Sequence, residues 1–299
     1  MNIVFMGTPE FAAVILASLL TSKHHVLAVF TQPDKPVGRK LILTPSPVKT
    51  LAQQYKIPVF CPSTLKSEET LNQLKTLQPD VIVVAAYGML LPKQILELPK
   101  FGCINVHASL LPKYRGAAPI QWSLINGEPA TGITIMFMEE KLDAGAIVNQ
   151  KSIKIADDYS AKTLFSKLAT LGASALLQGL ELLTKPDFKA KPQNQAQATF
   201  APKITKEMGY LDFSKPAQEV FNLIRGLDIW PVARAQIGGK MVKILKAKIV
   251  PNNGLKPGEI AKTKQLIIGC ADAAIELLTV APENGKQMSG SAFVNGYLT

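Results

Sequence analysis

Asn105 and His107 stand two residues apart inside the stretch FGCINVHASLLPKYRGAAP, Phe101 to Pro119. A carboxamide offers hydrogen-bond donors, and an imidazole takes or gives a proton near neutral pH, so the pair is equipped for proton transfer beside a polarised oxygen. If Cys103 to His107 is a strand, its two-residue period places both side chains on one face, close to the strand's end. Taken alone, the pair reads better as a turn cap and a satisfied polar residue. Its surroundings reverse that preference. Downstream, a strand from Thr131 to Met138 runs into Glu139, Glu140, Lys141, Leu142, Asp143, Ala144 and Gly145. Asp143 either bonds the backbone of its own turn or arrives, at a third strand end, in the same crevice. In the second case an acid, an imidazole and a carboxamide meet.

The elements that must hold these groups read as alternating strands and helices. Asn2 to Met6 is a buried strand. Gly7, Thr8 and Pro9 turn the chain into a helix from Glu10 to Leu20, and Val26 to Thr31 is a second strand, which together open a βαβ unit. One glycine at this first turn does not provide for close approach to a pyrophosphate, so NAD binding is disfavoured. The following QPDKPVGRKLILTPSP carries Pro33, Pro36, Pro45 and Pro47, which argue against regular structure, with Gly38, Arg39 and Lys40 at its centre. It reads as a shaped loop whose basic tip could meet a phosphate backbone. A helix from Val48 to Tyr55 capped by Ser46, a short strand from Val59 to Cys61 and a helix from Glu68 to Leu77 come next. Asp80 to Ala86 is an uninterrupted apolar strand of the kind buried on both faces of a parallel sheet, ended by Tyr87 and Gly88. Ligands of open α/β sheets bind beyond the carboxyl ends of the strands, so Tyr87 to Leu91 should lie beside the loop after His107. Ala118 to Asn126 and Ser160 to Leu183 read as further helices, the second with a leucine stripe facing the core.

From Lys185 to Lys203 the periodicity is lost and Pro, Gln and Lys accumulate, as in an extended linker. Beyond Thr205, a helix from Ala217 to Arg225 precedes short runs at Ala233–Ile237, Met241–Ala247, Glu259–Ala261, Leu266–Ile268 and Ile275–Ala281, punctuated as in a small OB-type barrel. Lys240, Lys243, Lys246 and Lys248 cluster on one hairpin, though their alternation with the apolar residues is imperfect. The expected organisation is a Rossmann-like, mostly parallel α/β domain over 1–184, a basic linker over 185–204 and a smaller OB-like β-barrel domain over 205–299.

The totals exclude several classes. With 299 residues there is room for two cores. Cys61, Cys103 and Cys270 are widely spaced and form no CxxC pair, so neither a disulfide framework nor a thiolate metal site is expected. The apolar runs Phe11–Leu20 and Val81–Leu91 fall short of the roughly 20 residues that span a bilayer, and the first has no basic leader, so a cytoplasmic protein without membrane partners is expected. Net charge is +11. The excess of basic over acidic side chains is four in residues 1–184 and seven in the shorter remainder, a bias suited to a polyanion.

Asn105, His107, the run SLLPKYRG from Ser109 to Gly116 and Asp143 before Gly145 together resemble the signature of the folate-dependent formyltransferases. The opening NIVFMGTPEFA, the segment TQPDKPVGRK, the lead-in PSPVK, the strand VVAAYGMLLP and Gly226 to Pro231 extend the resemblance from Met1 to the final NGYL. The chain departs from the family pattern at Lys141, where Gly is usual, and at Ala146, where an acid is frequent. The resemblance implies the formyltransferase fold and, for the reaction, 10-formyltetrahydrofolate as donor and the methionyl α-amine of charged initiator tRNA as acceptor. It implies Asn105 as oxyanion donor, His107 as proton acceptor and Asp143 as its orienting or proton-relaying partner. The donor would lie against the backbone of Ser109, Leu110, Leu111 and Pro112, with the pterin near Tyr87 and Gly88. Arg39, Lys40, Lys203 and Lys243 would contact tRNA, and the enzyme would act as a monomer without a metal. Two alternatives share the catalytic trio, formyl transfer to a small amine such as glycinamide ribonucleotide and hydrolysis of the donor; neither explains the Arg39 loop or a basic second domain. A nucleic-acid-binding module on an inactive scaffold would leave the trio incidental.

Overall fold

The structure, a computed structural model, describes residues 1–38 and 41–298. Along the chain run β1 (Asn2–Gly7), α1 (Glu10–Leu20), β2 (His25–Phe30), β3 (Lys35–Val37), β4 (Ile42–Thr44), α2 (Pro47–Gln54), β5 (Val59–Phe60), α3 (Glu68–Leu77), β6 (Val81–Ala85), α4 (Lys93–Leu96), β7 (Cys103–His107) and β8 (Arg115–Gly116). There follow α5 (Pro119–Ile125), β9 (Ala130–Phe137), β10 (Ile147–Lys154), α6 (Ala161–Leu183) and β11 (Phe200–Ala201). The last elements are α7 (Ala217–Gly226), β12 (Arg234–Ile237), β13 (Lys240–Val250), β14 (Ile267–Gly269), β15 (Ala274–Pro282), β16 (Met288–Ser289) and α8 (Gly290–Tyr297). Two compact units result, one of residues 1–116, 131–153 and 165–200, the other of 117–130, 154–164 and 201–299.

In the first unit, one sheet has the strand order β10-β9-β7-β6-β1-β2-β5. Its parallel pairs are β2 with β5, β1 with β2, β1 with β6 and β6 with β7. Ile3 to Met6 and Val81 to Ala85 are buried on both faces, which is why these strands are unbroken apolar runs. The order reverses between β1 and β6, the place where an open α/β sheet forms its ligand crevice. Serines start the helices that cover the sheet: Ser46 Oγ accepts the Lys49 N–H at α2, and Ser67 Oγ accepts the Thr70 N–H at α3. Each such cap is worth about 1 kcal/mol.

Two readings of this unit require correction. The proline-rich segment after Thr31 contains a short antiparallel ribbon, β3 against β4, with Pro36 opposite Leu43. A ribbon of two edge strands accommodates a proline wherever its missing N–H would have pointed away from the partner. In addition, β9 is antiparallel to β7, with Ile104 opposite Phe137 and His107 opposite Thr134. The end of β9 therefore lies at the start of β7, and Asp143 is not delivered by a third parallel strand end.

The second unit is built on strands in the order β12-β13-β15-β14, with β16 also on β15, all antiparallel. Its core joins Val242, Ile244, Ile275 and Leu277 from the sheet to Val220 and Ile224 of α7 and Phe293 of α8. Of the expected strand Glu259–Ala261, an isolated bridge from Ile260 to Ile268 forms. Among the described residues no helix is long and apolar enough to cross a membrane.

Candidate active site

β6 and β7 run side by side with Val84 opposite Asn105, so the turn Ala86–Gly88 and the loop after His107 leave the sheet at the same end. Asn105 is half-buried, and among the described residues its carboxamide takes no hydrogen-bond partner. His107 is buried, with Nε2 2.9 Å from the Tyr114 carbonyl. A carbonyl only accepts, so Nε2 carries a hydrogen and donates it; the neutral ring then has its lone pair on Nδ1. Nδ1 faces Asp143 Oδ2 at 3.7 Å, beyond hydrogen-bond length. The ring is thus presented with its lone-pair nitrogen toward the Asp143 carboxylate.

Asp143 reaches this position because the chain doubles back after β9. The Phe137 N–H donates to the Ala146 carbonyl at 2.9 Å. A Cβ on Gly145 would stand 2.0 Å from the Phe137 carbonyl oxygen, so only glycine permits the pinch. Asp143 adopts φ 49°, a left-handed conformation that Asp tolerates better than most residues. Its Oδ2 accepts the Gly116 N–H at 2.8 Å, so the carboxylate bonds another segment's backbone and not its own turn. Of the two departures from the family pattern, Lys141 is exposed, and Ala146 holds the pinch through its backbone.

The Ser109–Pro112 stretch is tied down internally. Its four carbonyls accept, in order, from Thr134 Oγ1, the Lys113 N–H, Gln150 Nε2 and the Thr199 N–H. The Leu111 N–H donates to Thr134 Oγ1, and the Leu111 side chain packs with Met136 and Ile147. Thr134, Gln150 and Thr199 were given no role by the sequence, where isolated polar residues on a strand or in a linker carry no signal. Tyr87 has its ring in the core beside Leu74, Ile95 and Cys103, and among the described residues its buried hydroxyl has no partner. What it turns toward the crevice is its carbonyl, which accepts from Thr8 Oγ1 and Gln32 Nε2. Gly88 is exposed with φ 85°. Burial pushes the Cys103 thiol up to about 12, so no thiolate nucleophile adjoins Asn105 near neutral pH.

Arg39 and Lys40 lie outside the described residues. Lys203 and Lys243 are exposed. The β13–β15 ladder is irregular on both sides of Lys246 and regains its register at Ala247, which lies in the interior as Val242 and Ile244 do. Lys243, Lys246 and Lys248 consequently share the outer face, although Lys248 is paired with Glu276 at 2.9 Å. Among the described residues no group of His, Cys, Asp and Glu is placed to hold a metal ion.

Residues 1–180 match the family model for Formyl transferase, and residues 203–298 match that for Formyl transferase, C-terminal domain. The chain belongs to the formyltransferase family. Among curated relatives, the methionyl-tRNA formyltransferase of Caldanaerobacter subterraneus is 49% identical over 99% of this chain and 97% of its own length. That of Macrococcus caseolyticus is 44% identical over 99% and 95%. Two solved structures share the fold of this formyltransferase at low identity. The N-formyltransferase from Helicobacter canadensis, in complex with folinic acid and dTDP-3-aminofucose, has a TM-score of 0.70 and 19% identity, covering 92% of this chain and 98% of its own. HypX from Aquifex aeolicus with tetrahydrofolic acid has a TM-score of 0.68 and 17% identity, covering 100% of this chain and 48% of its own.

Proposed function

We propose that this formyltransferase moves the formyl group of 10-formyltetrahydrofolate to the α-amino group of methionyl initiator tRNA. The observation that carries the reading is the likeness, over nearly the whole chain, to relatives named methionyl-tRNA formyltransferase. The site chemistry suits it. The neutral amine attacks the formyl carbon, a new C–N bond forms, and the carbonyl oxygen becomes an oxyanion. Asn105, half-buried with its carboxamide unengaged, donates to that oxygen, an interaction that in acyl transfer is worth roughly 3–4 kcal/mol. Nδ1 of His107 takes the proton from the amine nitrogen, and Asp143 stabilises the imidazolium. The bond from the formyl carbon to N10 then breaks, and the proton passes to N10.

The donor lies along Ser109, Leu110, Leu111 and Pro112 and past Tyr87 and Gly88. The internally bonded carbonyls of Ser109–Pro112 fix the shape of that wall. Arg39, Lys40, Lys203 and Lys243 contact tRNA phosphates, the last from the outer face of an OB-like barrel. The enzyme works as a monomer in the cytoplasm, where its acceptor is used.

The test is an assay of formyl transfer from 10-formyltetrahydrofolate to charged initiator tRNA, with elongator methionyl-tRNA and glycinamide ribonucleotide as competing acceptors. Preferred use of the initiator tRNA is expected. Equal or better use of the small amine would overturn the reading.

A further inference from the structure

Gln193 is a buried polar side chain for which the formyl-transfer reading has no task. It lies in the stretch Lys185 to Lys203, whose composition is that of a linker, yet it is 7% exposed. Two residues earlier, Lys191 exchanges both backbone hydrogen bonds with Ile147 at 2.8 Å and so anchors the segment beside β10. The Gln193 carboxamide is used at both ends. Oε1 accepts from Arg115 Nε at 3.2 Å and Nη2 at 2.6 Å, while Nε2 donates to the carbonyls of Asp143 at 2.9 Å and Gly145 at 2.8 Å. Arg115 is itself buried and donates from Nη1 to Gln195 Oε1 at 2.9 Å. The residue after it, Gly116, gives its N–H to the Asp143 carboxylate.

These contacts close a ring: Asp143 carboxylate, Gly116 N–H, Arg115 guanidinium, Gln193 carboxamide, Asp143 carbonyl. Asp143 is thereby held at its side chain and at its backbone, in a left-handed conformation that its own local preference does not supply. We infer that Gln193 is a positioning residue: its carboxamide, backed by Arg115, fixes the carbonyls on either side of Ala144 and so aims the Asp143 carboxylate at Nδ1 of His107. This deepens the proposed formyl transfer and rests on it.

The chemistry singles out glutamine. A side chain here must accept from a guanidinium and donate to two carbonyls at once, and only a primary carboxamide does both. Glutamate would keep Arg115 but face the two carbonyl oxygens with acceptors alone. Alanine would leave two carbonyls and one edge of a guanidinium unpaired in the interior.

The test is steady-state kinetics and thermal unfolding of the full chain carrying Gln193→Ala, Gln193→Glu, Asp143→Ala and the double substitution of Gln193 and Asp143 by Ala. Gln193→Met, which keeps the volume, replaces the first should it fail to fold. A misplaced catalytic group costs on the order of a hundredfold, so Gln193→Ala is expected to lower kcat by about that factor with KM little changed. Gln193→Glu should lose comparably despite its contact to Arg115. In the Asp143→Ala background, removing Gln193 should alter kcat by no more than about twofold, because its effect runs through a group already gone. Fully multiplicative losses beside an impaired Asp143→Ala would overturn the inference and leave the site reading standing. Wild-type turnover in Asp143→Ala alone would sink the role given to Asp143, and this inference with it.

Discussion

At the scale of single residues, the decisive contact is the one that leaves one nitrogen of His107 as the base. Nε2 is committed to the Tyr114 carbonyl, so Nδ1 is the atom that can take a proton. General-base and oxyanion contributions each reach about a hundredfold or more. His107→Ala and Asn105→Ala are therefore expected to remove most turnover while remaining folded, and activity within about tenfold of wild type in either would refute the assignment. Tyr87 makes the opposite prediction. Its buried hydroxyl has no partner among the described residues, so Tyr87→Phe should raise stability by about 1 kcal/mol in denaturant unfolding, and a loss of that size would mean the hydroxyl has a partner after all. Burial also moves two ordinary values upward, Cys103 from 9.0 and Tyr87 from 10.0, each to about 12. Both groups stay neutral in the folded chain while the unfolded chain ionises, so their stabilisation is complete below pH 9 and drains away between 9 and 12. The melting temperature should fall across that window, less steeply in Cys103→Ala; identical slopes would contradict the burial argument.

At the scale of elements, the connection from β9 to β10 makes the site. Its geometry depends on Gly145, where a Cβ would meet the Phe137 carbonyl oxygen at 2.0 Å, against a backbone that has no flexible end to yield. Gly145→Ala should force the loop open, at a cost of about 1–3 kcal/mol of stability and a larger relative loss of turnover. A Gly145→Ala protein with wild-type kcat would show that Asp143 does not depend on the pinch. The helices and parallel strands of the first unit were legible because each carries its own signal, such as the apolar runs of β1 and β6 and the serine cap of α2. The direction of β9 was not legible, since a strand buried along its length, as this one is, shows the same apolar run whichever way its neighbour runs. The β3–β4 ribbon was hidden by its prolines, and α8 by its short, glycine-bearing sequence.

At the scale of the whole molecule, the net charge of +11 predicts a salt-sensitive partner. Binding of initiator tRNA should weaken linearly in log salt, whereas binding of the folate donor should change little. Lys243→Ala is expected to reduce the slope by about one, and Lys248→Ala, whose cation is already paired with Glu276, by less. Equal effects of the two, measured by fluorescence titration over a salt series, would count against a phosphate contact at Lys243.

Sequence by itself determined which groups are present and which segments are buried strands or helices, because composition and periodicity act locally. It singled out Asn105, His107 and Asp143 as the candidate trio. Tertiary structure alone decided how they meet. The antiparallel β9 and the Arg115–Gln193 clamp are contacts between distant segments, and no local pattern encodes a hydrogen bond between residues 50 apart. The same holds for the basic face of β13. An irregularity in the β13–β15 ladder around Lys246, invisible in the lysine spacing, leaves Lys243 and Lys246 on one side, because pairing is settled with the partner strand and not by the strand itself.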